Sequence, residues 1–483
     1  MTSSIHKKYA EVLHRSNSLL QSRLSFKQYQ ADGVAWCVQK EQTDHLAGAF
    51  IADEMGLGKT LLVIMTCLLH YKSSTLFVLP SSLLQQWAQQ IKRFTGHEPL
   101  IFHGHAKKKI NTATLLANPI VLTTYHSVAI LKKNKHLPSS NLLHNVQWDR
   151  IVFDEAHYLR NINGVWLGAN LLKSSFSWFI TGTPIQNKYR DFKNICAIAS
   201  IPATDPPILR RTKHSIGLPL QDPVFHEITV QWKHPQEYHL ATHFHQQLHD
   251  NNDALTTIVN MQICKQTCIL PSLAAKHLFQ DQHPIQNQHS KLDTIVTTLR
   301  QRNSNGNGKL VFCQYKQEMN TLASLLRKQG LRVNLVDSNY TPKQKQTLLS
   351  GGCIPHNCSI KELPIDMTYE INSFLQTDVT ILQIQSSCEG LNLQDQYSEV
   401  YFVGPAWNPS VEAQAIARCH RFGQTKQVNV FRFRMESFQQ TDFTPIFDHN
   451  DQPLHVLNMD EYILQKQLRK IQISTDFFQT VHH

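Results

Sequence analysis

The stretch FIADEMGLGKTLLVIMTCLL, residues 50–69, decides the fold. A near-continuous apolar run, Ala49–Ala52, breaks into the polar turn DEMGLGKT (53–60), and an apolar, helix-like run follows at once. Strand, glycine-rich turn and helix in that order place several backbone N–H groups at a helix N-terminus, where they suit phosphate oxygens. Gly56 and Gly58 let the backbone approach a ligand closely. Lys59 is spaced to reach the β and γ phosphates of a nucleotide, and the Thr60 hydroxyl to bind Mg²⁺. Asp53 stands where the usual phosphate-loop pattern has its first glycine. A solvated glycine turn is the bland alternative.

Outward from this turn the same rhythm repeats. Short β-rich apolar runs occur at Leu76–Leu79, Ile120–Thr123, Ile151–Phe153 and Trp178–Ile180, with helix-like stretches such as Ser82–Phe94 between them. Runs of that kind read as strands buried on both faces, and their alternation with helices predicts a parallel sheet sandwiched by helices. The rhythm pauses at 214–288, which is polar, rich in Gln and His and helical in tone. It resumes at Leu310–Cys313, Val333–Val336, Val379–Ile384, Val400–Val403 and Val428–Phe431. The fold class expected is therefore α/β, with two lobes, each a mostly parallel sheet flanked by helices. The expected divisions are an N-terminal extension (1–22), lobe 1 (23–213), a helical insertion and linker (214–288), lobe 2 (289–437) and a tail (438–483). A loop near 351–370 interrupts lobe 2, and Tyr462–Ile473 can form a terminal helix.

The second chemical signal is RIVFDEAH, residues 150–157. An apolar strand delivers Asp154 and Glu155 at its C-terminal end, where open α/β sheets bind ligands. Asp154 suits the Mg²⁺ shell, and Glu155 suits orienting or deprotonating an attacking water. An acidic pair there can also be a helix cap, but Lys59 on the preceding strand–turn–helix unit favours the catalytic reading.

Composition narrows the partners. The 483 residues carry 47 Lys plus Arg against 36 Asp plus Glu, a formal charge of +11. That excess fits a polyanion such as nucleic acid. The clusters Lys107–Lys109, Lys132–Lys135 and Arg210–Lys213 can neutralise phosphates, although lysines on loops are commonly only solvated. No apolar run reaches the roughly 18 residues of a membrane span, and MTSSIHKKYA has no apolar core of a secretory signal. Ten cysteines without a framework read as reduced thiols of an intracellular protein. Cys353, His356 and Cys358 lie close together, but no second pair at zinc spacing accompanies them, Cys264 and Cys268 notwithstanding, so ordinary thiols are expected.

With these residues in view, the chain resembles a Swi/Snf-type DNA-dependent ATPase of helicase superfamily two. The resemblance runs over about residues 24–435: LSFKQYQADGVAW (24–36), the 53–60 turn, LFVLPSSLLQQWAQQIKRF (76–94), VLTTYHSV (121–128), DEAH (154–157), FITGTPIQN (179–187), ILRRTK (208–213), KLVFCQY (309–315), EGLNLQ (389–394) and the segment from Gly404 to Val428. It implies two RecA-like lobes with ATP and Mg²⁺ as cofactors. It assigns Gln30 to the adenine, Arg418 and Arg421 to arginine fingers, and Thr181, Gly182, Thr183, Gln414 and Gln424 to coupling. It assigns Ser81, Thr124, Gln314, Asn392 and Trp407 to nucleic acid. Arg418 and Arg421, three apart, share a face if helical.

The implied activity is ATP-driven translocation on double-stranded DNA, remodelling nucleosomes or other DNA-bound proteins without strand separation, by a monomeric motor with no membrane partner. A nuclear location follows if the source is eukaryotic. A strand-separating DNA or RNA helicase and a degenerate nucleotide-binding scaffold are the alternatives. The departures from the family pattern are Ser387–Cys388, where paired glycines are usual, the 351–370 insertion, and no readable accessory domain.

Overall fold

The computed structural model describes residues 27–130, 141–218, 220–250, 254–278, 288–337, 340, 377–384, 393–444, 446–447 and 453–481. The Lys132–Lys135 cluster, the 351–370 insertion with Cys353, His356 and Cys358, Ser387–Cys388, Asn392 and the 1–22 extension lie outside the described residues. The chain divides into two compact units, residues 1–219 with 470–483 and residues 220–469.

Unit 1 is built on β1 (Gly48–Ile51), β2 (Thr75–Leu79), β3 (Leu100–Phe102), β4 (Ile120–Thr124), β5 (Gln147–Asp154), β6 (Lys173–Ile180) and β7 (Ile208–Leu209). They form one sheet in the order β3-β4-β2-β5-β6-β1-β7, with every pairing parallel. Strands such as TLFVL and IVLTT are buried at every position. Apolar residues on both faces require cover on both faces, and helices supply it. Helices α1 (Gln28–Gln42), α2 (Lys59–Leu69) and α3 (Leu84–Thr95) contribute to one core with Val34, Leu62, Val63, Trp87 and Ile91. The opposite face is covered by a second core that includes Tyr125, Leu159, Phe192 and Phe477.

Two short strands, β3 and β7, escape sequence patterning because three and two residues carry no periodicity. One buried charge cluster ties α1 to the sheet. Arg150, 1% exposed in the middle of β5, donates to both oxygens of Glu41 on α1, and Trp178 Nε1 of β6 donates to the same carboxylate at 2.6 Å. Burial works against the Glu41 charge, but these donors outweigh it and hold its carboxyl below the usual range.

Unit 2 holds β8 (Val224–Val230), β9 (Gly308–Cys313), β10 (Val333–Val336), β11 (Val379–Gln383), β12 (Tyr397–Phe402) and β13 (Asn429–Met435). The order is β10-β11-β9-β12-β13-β8, again parallel. Its helices include α4 (Pro235–Asp250), α5 (Ala254–Ile269), α6 (Ser290–Gln301), α7 (Lys316–Lys328) and α8 (Pro409–Cys419). The 214–288 stretch is thus not purely helical: VFHEITV forms the edge strand β8, paired along its length with β13. Its alternating exposure is that of an edge strand, and the surrounding Gln and His masked it in the sequence. The last helix, α9 (Met459–Val481), is longer than the Tyr462–Ile473 expected. No helix among the described residues is long and apolar enough to cross a membrane.

Candidate nucleotide site

The sheet order of unit 1 explains how distant motifs meet. Strands β5, β6 and β1 are neighbours, with Asp154 opposite Ile180 and Ile51 opposite Ile180. The 53–60 turn therefore leaves β1, Asp154 and Glu155 leave β5, and Thr181–Thr183 leave β6, all at the carboxyl edge. Ser81 follows β2 and Thr124 ends β4 at the same edge. Thr181 N donates to Ile51 O at 3.1 Å and Thr183 N to Thr181 Oγ1 at 3.2 Å. A side chain at Gly182 would come within 3.0 Å of Met55 and 3.8 Å of Lys59 Nζ, so these segments are in direct contact.

The turn itself needs its glycines. Gly56 and Gly58 have φ of +93° and +87°, and Gly58 is the N-cap of α2. The Gln30 amide lies beside Gly58, 3.1 Å from where a Cβ would stand. Lys59 Nζ donates to Asp53 O at 2.8 Å and Glu54 O at 3.4 Å, curled over its own loop. Burial draws its ammonium below the usual lysine range, against the pull of Glu155, Asp53 and Asp154. Thr60 follows it in the first turn of α2.

Asp154 is the most constrained acid of the site. Its Oδ2 accepts from Trp87 Nε1 at 2.7 Å and its Oδ1 from Glu155 N at 2.9 Å. Burial and the adjacent Glu155 charge push its carboxyl above the usual range. Tyr125 donates to the Asp154 carbonyl at 2.6 Å. Glu155 has a left-handed φ of +50°, and its Oε2 lies 3.2 Å from His157 Nδ1. Trp87 and Tyr125 are supports that motif reading did not single out. Trp87 sits among Gln85, Gln86, Gln89 and Gln90, and Tyr125 between Thr124 and His126, so the local sequence marked neither as a support.

The unusual first residue of the turn also acquires a reason. Asp53, 1% exposed, receives Arg211 N at 2.9 Å and Arg211 Nε at 3.1 Å on Oδ1, and Arg211 Nη2 on Oδ2. Glu54 receives Lys213 N at 2.8 Å and pairs with Lys213 Nζ at 3.1 Å. Arg210 Nη1 donates to Ala52 O at 2.6 Å. The Arg210–Lys213 cluster, read as a phosphate-neutralising surface, is instead committed to the loop after β1.

Of the expected nucleic-acid residues, Ser81 is exposed, whereas Thr124 is buried with its hydroxyl 3.2 Å from His103 Nδ1 and 3.0 Å from Ser127 Oγ. In unit 2, Gln314 Nε2 donates to Gly404 O and Pro405 O at 3.2 and 3.0 Å. Trp407, 36% exposed, lies under Lys265 Nζ at 5.4 Å. Gln414 lies on α8, and Gln424 Nε2 binds the carbonyls of Gln394, Tyr397 and Cys419.

Arg418 is in the last turn of α8, but the helix ends at Cys419, where His420 has ψ of 78°. Arg421 therefore lies beyond the helix, and the two arginines do not share a helical face as the spacing suggested. Burial and Arg418 lower the Arg421 guanidinium from its usual value. Among the described residues no group of three or more His, Cys, Asp or Glu is placed to hold a metal. Cys264 and Cys268 are buried in the unit 2 core.

Residues 29–203 match the family model described as SNF2-related domain. An uncharacterized ATP-dependent helicase of Mycoplasma genitalium is 26% identical over 450 residues, covering 84% of this chain and 40% of that protein. A probable global transactivator of Orgyia pseudotsugata multicapsid polyhedrosis virus is 24% identical over 454 residues, covering 84% of this chain and 85% of its own. The Hef helicase domain of Pyrococcus furiosus superposes with a TM-score of 0.51 at 15% identity, over 87% of this chain and 96% of that domain, a likeness of fold. The chain spans about 40% of the length of the Mycoplasma relatives it matches.

Proposed function

We propose that this chain, whose residues 29–203 match the SNF2-related domain, is an ATP-driven translocase on double-stranded DNA that remodels protein–DNA complexes without separating the strands. The observation that carries the reading is the convergence of Lys59, Asp154, Glu155 and Thr181–Thr183 from the adjacent strands β1, β5 and β6. Phosphoryl transfer asks mainly for positioning and positive charge, and this edge supplies both.

The residues fit ATP with Mg²⁺. Buried Asp154 and half-buried Glu155 form a like-charged pair that a divalent cation would relieve, and Asp154 with the Thr60 hydroxyl would hold it. When bound, the ion neutralises charge on the phosphate oxygens. The backbone N–H groups of 56–60 cradle the phosphates, and Lys59 swings its ammonium from the carbonyls of Asp53 and Glu54 to the phosphate chain. Glu155 orients water and takes its proton. The family resemblance assigns arginine-finger roles to Arg418 and Arg421. Net charge of +11 suits a DNA partner.

The test is steady-state ATPase at one fixed salt concentration, with no nucleic acid, single-stranded DNA, duplex DNA and RNA. Stimulation by duplex above the other three, followed by triplex displacement, supports the proposal. Preference for single strands or RNA would establish a helicase instead, and binding without turnover a scaffold.

A further inference from the structure

Three segments of unit 1 converge on one guanidinium. Arg211, just after β7, is 15% exposed at its side chain. Its Nε and Nη2 clasp the Asp53 carboxylate at the start of the phosphate loop. Its Nη1 donates to the Tyr29 carbonyl, in the first turn of α1. The same guanidinium lies 5.4 Å from the Tyr29 ring centre, and Tyr29 Oη returns to Leu57 O of the loop at 3.3 Å. The neighbouring pairs reinforce the clasp: Glu54 N donates to Arg211 O at 2.8 Å, and Lys213 holds Glu54. Burial opposes the Glu54 charge, yet the Lys213 backbone N–H and ammonium outweigh it and keep that carboxyl below its usual range.

Space is reserved for this arrangement. A Cβ at Gly33 would stand 2.7 Å from both terminal nitrogens of Arg211 and 2.7 Å from Leu62. A side chain at this glycine inside α1 would press on both the guanidinium and Leu62, and glycine leaves both in place at a known cost in helix propensity.

We propose that Arg211 is a positioning residue for nucleotide binding, a latch that joins the phosphate loop to the adenine-side turn carrying Gln30. This rests on the nucleotide-site reading above. A fork is needed, because one cation must satisfy a carboxylate bidentately and a carbonyl on another element at the same time. A lysine has the charge but not the geometry. The latch makes recognition of the base depend on the placement of the phosphates. Discrimination between purines should then be lost when the fork is lost, even where the phosphate cradle survives.

The experiment measures affinity of the full chain for fluorescent ATP and GTP analogues with Mg²⁺, beside melting temperature and duplex-stimulated turnover. Arg211→Lys is expected to weaken ATP binding about tenfold and to bring the ATP-to-GTP affinity ratio close to one. Asp53→Asn, which keeps Oδ1 as an acceptor, is the second variant and should give the same signature more mildly. Gln30→Ala should cost little further in the Arg211→Lys background, a coupling that mere destabilisation does not produce. Unchanged ATP affinity, or weakened affinity with the purine ratio and additivity intact, would overturn the latch while leaving the ATPase reading in place. A wild-type chain that binds no nucleotide would overturn both.

Discussion

Replacing Trp87 by Phe tests the site through a single hydrogen bond. The indole Nε1 donates to Asp154 Oδ2 at 2.7 Å, and the ring sits 5.1 Å from Phe77 with the residue 2% exposed. Phenylalanine keeps much of the apolar contact and removes the donor. A hydrogen bond to a carboxylate contributes about 1.5–3 kcal/mol, which is about one to two pKa units. The sign follows from the causes at Asp154: burial and Glu155 raise its pKa, and the Trp87 donor opposes them. Without the donor the carboxyl rises further and holds its proton to higher pH.

ATPase turnover measured from pH 6 to 9 should therefore show its acid limb displaced upward by about one unit. Half-saturation by Mg²⁺ should rise at pH 7 and recover toward wild type at pH 9. Smaller ring volume adds about 1–2 kcal/mol of destabilisation, read separately by thermal unfolding. An unchanged acid limb and Mg²⁺ midpoint, with only a lower melting temperature, would show that Trp87 merely packs.

Lys59→Ala should lower turnover by about a hundredfold or more, because the phosphate cradle loses its cation; near-normal turnover would sink the site assignment. Gly168→Ala should destabilise unit 1 by at least about 3 kcal/mol, since its Cβ would fall 1.9 Å from the Val128 carbonyl oxygen; an unaltered denaturation midpoint refutes that packing. Glu318, whose Oε2 accepts from Gln314 N and Tyr315 N at 2.9 Å, is pushed by burial up to about 7. The folded chain then keeps a proton that the unfolded chain releases near 4.5, so stability falls between pH 4.5 and 7, by at most about 1.4 kcal/mol per unit. Glu318→Gln should flatten that slope in chemical denaturation at pH 5 and 7.5.

Much of the sheet was legible because its central strands are apolar on both faces. The runs at Ala49–Ala52, Leu76–Leu79, Ile120–Thr123, Ile151–Phe153 and Trp178–Ile180 overlap β1, β2, β4, β5 and β6. Strand β8 was not legible, because VFHEITV is a short run interrupted by His226 and Glu227 and set in a stretch rich in Gln and His. The chemical residues of the site were visible as types and spacings. Their supports were not. Trp87 lies 67 residues from Asp154 and Arg211 158 residues from Asp53, and spacing reports nothing about partners that only a sheet order brings together. Arg211 was misread for the same reason: a basic cluster looks outward until its carboxylates are located. The helical pairing of Arg418 and Arg421 failed on one backbone angle at His420.

The position of β1 bears on how the protein comes into being. Both neighbours of this strand, β6 and β7, lie far downstream: Gly48 pairs with Ser177 and Phe50 with Ile208. A growing chain therefore carries β1 without its neighbours, since Gly48 lies 129 residues before Ser177 and Phe50 lies 158 before Ile208. Such distant pairings close late, after the local helices have formed. On the proposed nucleotide site, nucleotide would bind only the finished unit and by mass action would reward its completion. ATP in the cell would act on this chain first as a folding ligand, discriminating finished lobes from interrupted ones before any turnover begins.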